Sequence, residues 1–229
     1  MKLFVPVVFI AFLAAAPVAA QDADPQADAP ATAPPRATTD RIFGVVPNFA
    51  TVENGSAVTP LSARQKFTLA SLNTFDPFVY PFVGIMALTS HSYGSGTVGF
   101  VKQYAASLTD NVTGNFMTSA VMPSLLHQDP RYYERGSGPV LHRLAYAASR
   151  TAVTRGDSGA RQVNVSEIGG TAVAAGLSNL YYPAGKRTVG ATLLRCGMQV
   201  TWDSLANELK EFWPDIHRRL HRATPPVVG

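Results

Sequence analysis

Apolar residues recur at helical spacing over most of the chain from residue 59 to residue 213. Leu61, Phe67, Ala70, Leu72 and Phe75 trace a first stripe. It follows Thr59-Pro60, where threonine can cap and proline suits the first turn. A second helix is predicted over 77–91 from Phe78, Val79, Phe82, Val83, Ile85, Met86 and Leu88, with Pro81 tolerated in its first turn. A glycine-rich loop, 93–99, separates it from the longest pattern, 98–126. There Phe100, Val101, Tyr104, Leu108, Val112, Phe116, Met117, Ala120 and Val121 share a broad face, and Gly114 and Pro123 are predicted bends.

The second half continues the pattern. A fourth helix over 139–154 carries Leu141, Leu144, Ala145, Ala148, Ala152 and Val153 on one side, with Arg143 and Arg150 seven apart on a common face. A polar loop, 155–165, leads to Ser166, the predicted cap of a fifth helix with Glu167 in its first turn. That helix, to Tyr182, is dense in Gly169, Gly170, Ala172, Ala174, Ala175 and Gly176, a composition that permits close backbone approach. The last helix is predicted over 188–213, stopping at Pro214, with the basic HRRLHR beyond it as an extension at the tip. The stretch 41–58 is aperiodic and reads as an arm with a short edge strand at 44–46. No run shows sustained alternation and no hairpin dipeptide sits between β-rich segments. The expectation is an all-α fold, a single bundle of five or six helices. The C-terminus also lacks the terminal aromatic strand of an outer-membrane barrel.

The first residues change the picture of where the chain goes. MKLFVPVVFIAFLAAAPVAAQ places one lysine before an apolar block and small residues at Val18 and Ala20, the pattern of a secretory signal peptide over 1–20. Residues 21–40, rich in Ala, Pro and Asp, have no apolar face to offset ordering entropy and read as a disordered spacer. The helical domain is then 41–222 and the tail 223–229, with no lipoprotein cysteine after the cleavage site. The single cysteine, Cys196, excludes an internal disulfide and lies in an apolar helical pattern, where an inert thiol is expected.

Charge is unusual in its placement. The chain is 15% charged, against about 25% in ordinary soluble domains. From Phe67 to Gln128 the only charged residues are Asp76, Lys102 and Asp110, whereas 129–161 contains nine, six of them arginine. The dry segments do not read as membrane spans. The block 75–88 is short and interrupted, and 98–126 would carry Lys102 and Asp110 into lipid. Burial in a bundle or contact with a membrane surface fits better.

Three groups of residues carry candidate chemistry. In MPSLLHQDPRYYERG, His127 and Asp129 are candidates for a base and its orienting partner, with Arg131 as an anion clamp. Alternate positions on a helix do not face each other. A more economical reading makes the stretch a helix junction, with Asp129 capping a turn, Pro130 setting its backbone and Tyr132 and Tyr133 closing the bundle end. His91, His142, His217 and His221 lack metal-ligand spacing, so no metal site and no cofactor are expected. In SNLYYP, Asn179, Tyr181 and Tyr182 are ligand candidates or core-edge seals. The arginines 131, 135, 143, 150, 155 and 161 match phosphate or carboxylate groups; outside the cytoplasm those belong to lipid headgroups or envelope polymers, not nucleic acid. A solvated face paired with Asp129, Glu134 and Asp157 is the plainer account. No phosphate loop, dinucleotide fingerprint, nucleophile elbow or HExxH motif is present. Sequons begin at Asn54, Asn111 and Asn164.

At MPSLLHQDPRYY, SNLYYP and LKEFWPDI the chain resembles a family of exported bacterial envelope proteins without assigned function, over about residues 41–216. The resemblance implies bacterial export, to the periplasm or the outer membrane, and no mechanism. The leading expectation is a non-enzymatic, exported cell-envelope protein that associates with a membrane surface or an anionic envelope component. The alternatives are an envelope hydrolase using His127 and Asp129, and a periplasmic carrier of lipid or a small molecule.

Overall fold

In the computed structural model, residues 41–52, 59–90 and 92–222 are described. The expected leader, spacer and tail, and with them Asn54 and His91, lie outside the described residues. Six helical rods dominate. They are α1 (Ala63–Thr74), α2 (Val79–Thr89), a long rod, α5 (Val140–Ser149), α6 (Val165–Ser178) and α7 (Val189–Arg222). The long rod is α3 (Gly96–Phe116), which passes through a π-helical turn, Met117–Val121, into α4 (Met122–Leu125). The predicted irregularity in this rod is real and lies between Gly114 and Pro123. It faces the small-residue helix: a Cβ built on Gly170 would stand 3.0 Å from the Met117 carbonyl carbon. Glycine at 170 is what lets α6 approach the π-turn backbone.

Local chemistry sets the helix ends, at positions that differ from the predicted ones. Ser62, not Thr59, caps α1 in a reciprocal box with Gln65. Asn164, not Ser166, caps α6, its Oδ1 accepting from the Glu167 N–H at 3.1 Å. Pro214 does not stop α7, which continues to Arg222. Proline's φ is helical, and Trp213 is buried against Phe43, ring centroids 4.9 Å apart, so packing holds the helix through the missing N–H.

Two small sheets depart from the all-α expectation. β1 (Thr51–Val52) pairs in parallel with β3 (Tyr132–Tyr133). β2 (Gln128–Asp129), β4 (Val153–Gly156) and β5 (Arg161–Val163) form an antiparallel sheet in the order β2-β4-β5. The segment read as helix end and polar loop is therefore a hairpin, turned at Gly159 with φ +84°. The arm expected to hold a strand at 44–46 folds back on itself instead, through an Ile42–Val46 bridge.

The largest difference concerns which helix faces point inward. On α1 the buried residues are Lys66, Ala70 and Thr74, while Phe67, Leu72 and Phe75 are exposed. On α5 the buried residues are Arg143 and Ala147, and Val140 and Leu141 are exposed. α6 buries Ser166, Gly170, Thr171 and Ser178 and turns Ile168, Val173 and Leu177 outward. α7 does the same with Leu194, Met198, Trp202 and Leu205. The helical period is as the sequence predicts, but on these four helices the polar and small side is the inner one, whereas α2 buries Val79 and Val83.

Candidate functional site

The stretch from Met122 to Gly136 is a junction. α4 ends at Leu125, and His127 takes a left-handed backbone with φ 53°, which turns the chain into β2. Asp129 Oδ1 accepts the Arg131 N–H at 3.0 Å, so it closes the turn around Pro130. Asp129 also receives the Arg131 guanidinium, Nη2 to Oδ2 at 2.6 Å, and the Tyr133 hydroxyl at 2.7 Å. His127 points elsewhere. Its side chain is 84% exposed, with Nδ1 3.8 Å from an Asp157 oxygen. Asp157 in turn holds Lys66, which is 1% exposed, with both oxygens 2.8 Å from Nζ. The proposed base and its orienting acid thus face different partners.

Tyr132 and Arg143 belong to a network around Glu211, whose residue is 0% exposed. Its carboxylate accepts from the Tyr132 hydroxyl at 2.8 Å, the Arg135 and Gly136 N–H groups at 2.9 and 3.0 Å, and Arg143 Nε at 2.8 Å. Arg143 also pairs with Asp215, donates to the Glu211 carbonyl and lies over the Phe212 ring at 4.4 Å. Burial and Glu211 push the Tyr132 hydroxyl's pKa far up, so it stays a donor. The Arg135 side chain contributes none of this and stands exposed.

The SNLYYP residues fasten helix ends. Tyr181 and Tyr182 both donate to Asp110 on α3, Tyr182 at 2.7 Å. Burial raises the Asp110 pKa against these hydrogen bonds. Asn179 Oδ1 accepts from Arg195 at 2.7 Å. Cys196 on α7 has its pKa raised by burial and by Glu167, which keeps it a thiol.

A different set of groups lines a cavity of 280 Å³. Asp129, Arg131, Tyr132 and Tyr133 reach it from the junction, Arg150 from the end of α5, and Thr154 and Arg155 from β4. Asn111, Asn115 and Thr118 contribute from the α3 rod, Ser166 and Glu167 from the start of α6, and Asp203, Asn207 and Lys210 from α7. Seven residues separate Asp203 from Lys210, so one face of α7 presents both. Burial, then the charge and hydrogen bond of Asp203, hold the Glu167 carboxyl well above its ordinary pKa. Burial raises Asp203 as well, and lowers Lys210 against the pull of both acids.

Two of the three arginines in the cleft, Arg150 and Arg155, are placed differently from the other buried charges. Arg150 lies over the Tyr146 ring and Arg155 over the Tyr133 ring, each at 4.4 Å. Among the described residues neither has a carboxylate within ion-pair distance. Burial lowers the Arg150 pKa, and Arg161 and Arg155 lower it further. Of the sequence candidates, Asp129, Arg131, Tyr132, Tyr133 and Arg150 therefore meet at one cleft. His127, Arg135, Arg143, Asn179, Tyr181 and Tyr182 do not line it. Glu167, Asp203 and Lys210 were missed because their signal is burial of charge on two helices, which a linear pattern does not display. Among the described residues no group of three or more His, Cys, Asp or Glu is placed to hold a metal ion. No family model, no curated protein and no solved structure matches the chain.

Proposed function

We propose that the protein is an exported, non-enzymatic component of a bacterial cell envelope that binds to a membrane surface through its apolar exterior. The carrying observation is the inverted helix faces. On α7, Leu194, Met198, Trp202 and Leu205 are exposed on one side, while Ser204 and Glu211 are buried on the other. Water opposes such an exterior, at roughly 25 cal/mol per Å² of apolar surface left wet. A non-aqueous neighbour reverses the sign, and side chains with charge then belong inside, paired. The exposed residues sit on α1, α2, α3, α6 and α7 alike. One contact with a second copy covers a single face, whereas a lipid surface suits apolar residues on several helices. Among the described residues no helix is long and apolar enough to cross a membrane, so the reading is association and not spanning. The leader-like residues 1–20 and the resemblance at MPSLLHQDPRYY support export. The carrier reading keeps one support, the cleft, whose lining mixes charged and apolar side chains.

Fractionation of the native source tests this, with membranes washed in high salt and then in carbonate, followed by flotation of the purified protein with phosphatidylglycerol vesicles. The protein is expected with membranes and in the floated fraction. Leu194→Glu with Leu205→Glu is expected to cut flotation by about tenfold or more, since each residue loses its apolar burial and gains a charge. Recovery as a soluble monomer or dimer that ignores vesicles overturns the proposal.

A further inference from the structure

The charges lining the cleft do not balance among themselves. Arg131 is neutralised by Asp129 at 2.6 Å. Lys210 faces the Glu167 and Asp203 carboxyls, whose pKa values burial raises. Arg150 and Arg155 remain, both lining the cleft and neither within ion-pair distance of a carboxylate among the described residues. Each guanidinium has one face on a tyrosine ring, which leaves its N–H edge for a ligand. Arg150 spends part of that edge on Ser149 Oγ, at 3.0 Å, a neutral acceptor.

A second observation is independent of the arginines. Ser166 lines the same cleft, its residue is 2% exposed, and its enclosed Oγ has no hydrogen-bond partner among the described residues. An unpaired buried hydroxyl costs about 1–3 kcal/mol and calls for an explanation. Ser166 lies in the first turn of α6, a helix of 14 residues whose positive dipole end faces that side. The cavity, 280 Å³, is close to the roughly 300 Å³ at which small-molecule sites begin.

We infer that the cleft binds a phosphoryl group, held between the Arg150 and Arg155 guanidiniums and the Ser166 hydroxyl at the start of α6. A phosphate monoester or dianion supplies the charge that the two arginines lack and oxygens enough for all three donors. The source is a free phosphate or the headgroup of an anionic lipid. This inference does not rest on the membrane reading, since a protein that ignores vesicle surfaces could still hold phosphate in an internal cleft.

The test is isothermal titration of the purified protein at fixed ionic strength with two probes, inorganic phosphate and micelle-free dihexanoyl phosphatidic acid. Saturable one-to-one binding of either is expected. Binding of both, or of phosphate alone, assigns the site to the free anion; binding of the short lipid alone assigns it to a headgroup. Arg150→Met is expected to weaken the bound probe by about tenfold or more, and Ser166→Ala by about fivefold. Circular dichroism checks that each variant is folded. Failure of both probes to saturate overturns the inference, as does wild-type affinity in a folded Arg150→Met protein. Should that variant not fold, Ser166→Ala decides alone: it removes a hydroxyl without a hydrogen-bond partner among the described residues, so unchanged affinity overturns the site.

Discussion

Glu211 and Arg150 are both enclosed charges, and they are treated in opposite ways. Glu211 accepts four hydrogen bonds within 3.0 Å, two from side chains and two from the backbone of the turn at Arg135-Gly136. It ties α7 to α5 and to the junction through a fully partnered ion network. Arg150 has a ring, a serine hydroxyl and like charges for neighbours. A saturated network is a fastening, because every lone pair is already used. An unsaturated one has capacity left for something outside the chain. The lesson is that enclosed charge by itself does not mark a site; the count of unmet partners does.

That contrast predicts unequal costs. Arg143→Met leaves Glu211 enclosed without its cation and Asp215 with Arg218 alone, so urea unfolding should show a loss of about 3–5 kcal/mol. Arg150→Met removes a cation that has no carboxylate within ion-pair distance among the described residues and should change stability by about 1 kcal/mol or less. Equal losses in the two variants would break the comparison.

The next effect is a pH dependence at Glu167. Its pKa is raised in the folded protein, chiefly by burial and then by Asp203. The folded state therefore keeps a proton that the unfolded chain releases above the ordinary carboxylate pKa. Stability from this group is fully present below that ordinary value and is lost as pH rises through the folded one. Glu167→Gln imitates the protonated acid at every pH. It should flatten the alkaline limb of the urea midpoint and leave the variant more stable than wild type there. A wild-type slope in the variant would mean that Glu167 is ionised in the fold.

How much of this was legible beforehand follows from what a linear pattern records. Period 3.6 places the helices: the rods over 63–74 and 79–89 lie inside the predicted ranges, and the rod over 165–178 starts one residue before its own. It does not say which side is inner. Phe67 and Phe75 share the apolar stripe of α1 and its end, yet both are exposed and Lys66 is the buried residue. Lys66 becomes possible only because Asp157, on a turn far along the chain, reaches it. The junction at Asp129-Pro130 was readable because its chemistry is local, an Asx turn followed by proline. The β4–β5 hairpin was not, since RGDSGARQV lacks both alternation and a common hairpin dipeptide. In the cleft, Arg131, Arg150 and Arg155 were named from the arginine cluster, and Asp129, Tyr132 and Tyr133 from the junction motif. The Glu167–Asp203 pair was not, because the two residues are 36 positions apart and meet only when α6 packs on α7.

The smallest effect sharpens the comparison from the acid side. Asp76 is enclosed like Glu167 but partnered like Glu211. Arg41 donates to its oxygens at 3.1 and 2.6 Å, and the Phe78 N–H donates at 2.9 Å at the start of α2. The Arg41 hydrogen bonds lower its pKa, burial opposes them, and the Phe78 N–H lowers it further. The sign is therefore the reverse of that at Glu167. Stability from Asp76 is present above the ordinary carboxylate pKa and is lost as pH falls through the depressed one. Arg41 is partly exposed, so salt screens this pair more than it screens Arg143 and Glu211. Asp76→Asn should cost less than Arg143→Met at neutral pH and should flatten the acid limb of the midpoint profile. Raising the ionic strength should shrink the difference between Asp76→Asn and wild type. If Asp76→Asn and Glu167→Gln flatten the same limb, the division between partnered and unpartnered carboxyls fails; if they flatten opposite limbs, one titration series separates the fastenings from the site.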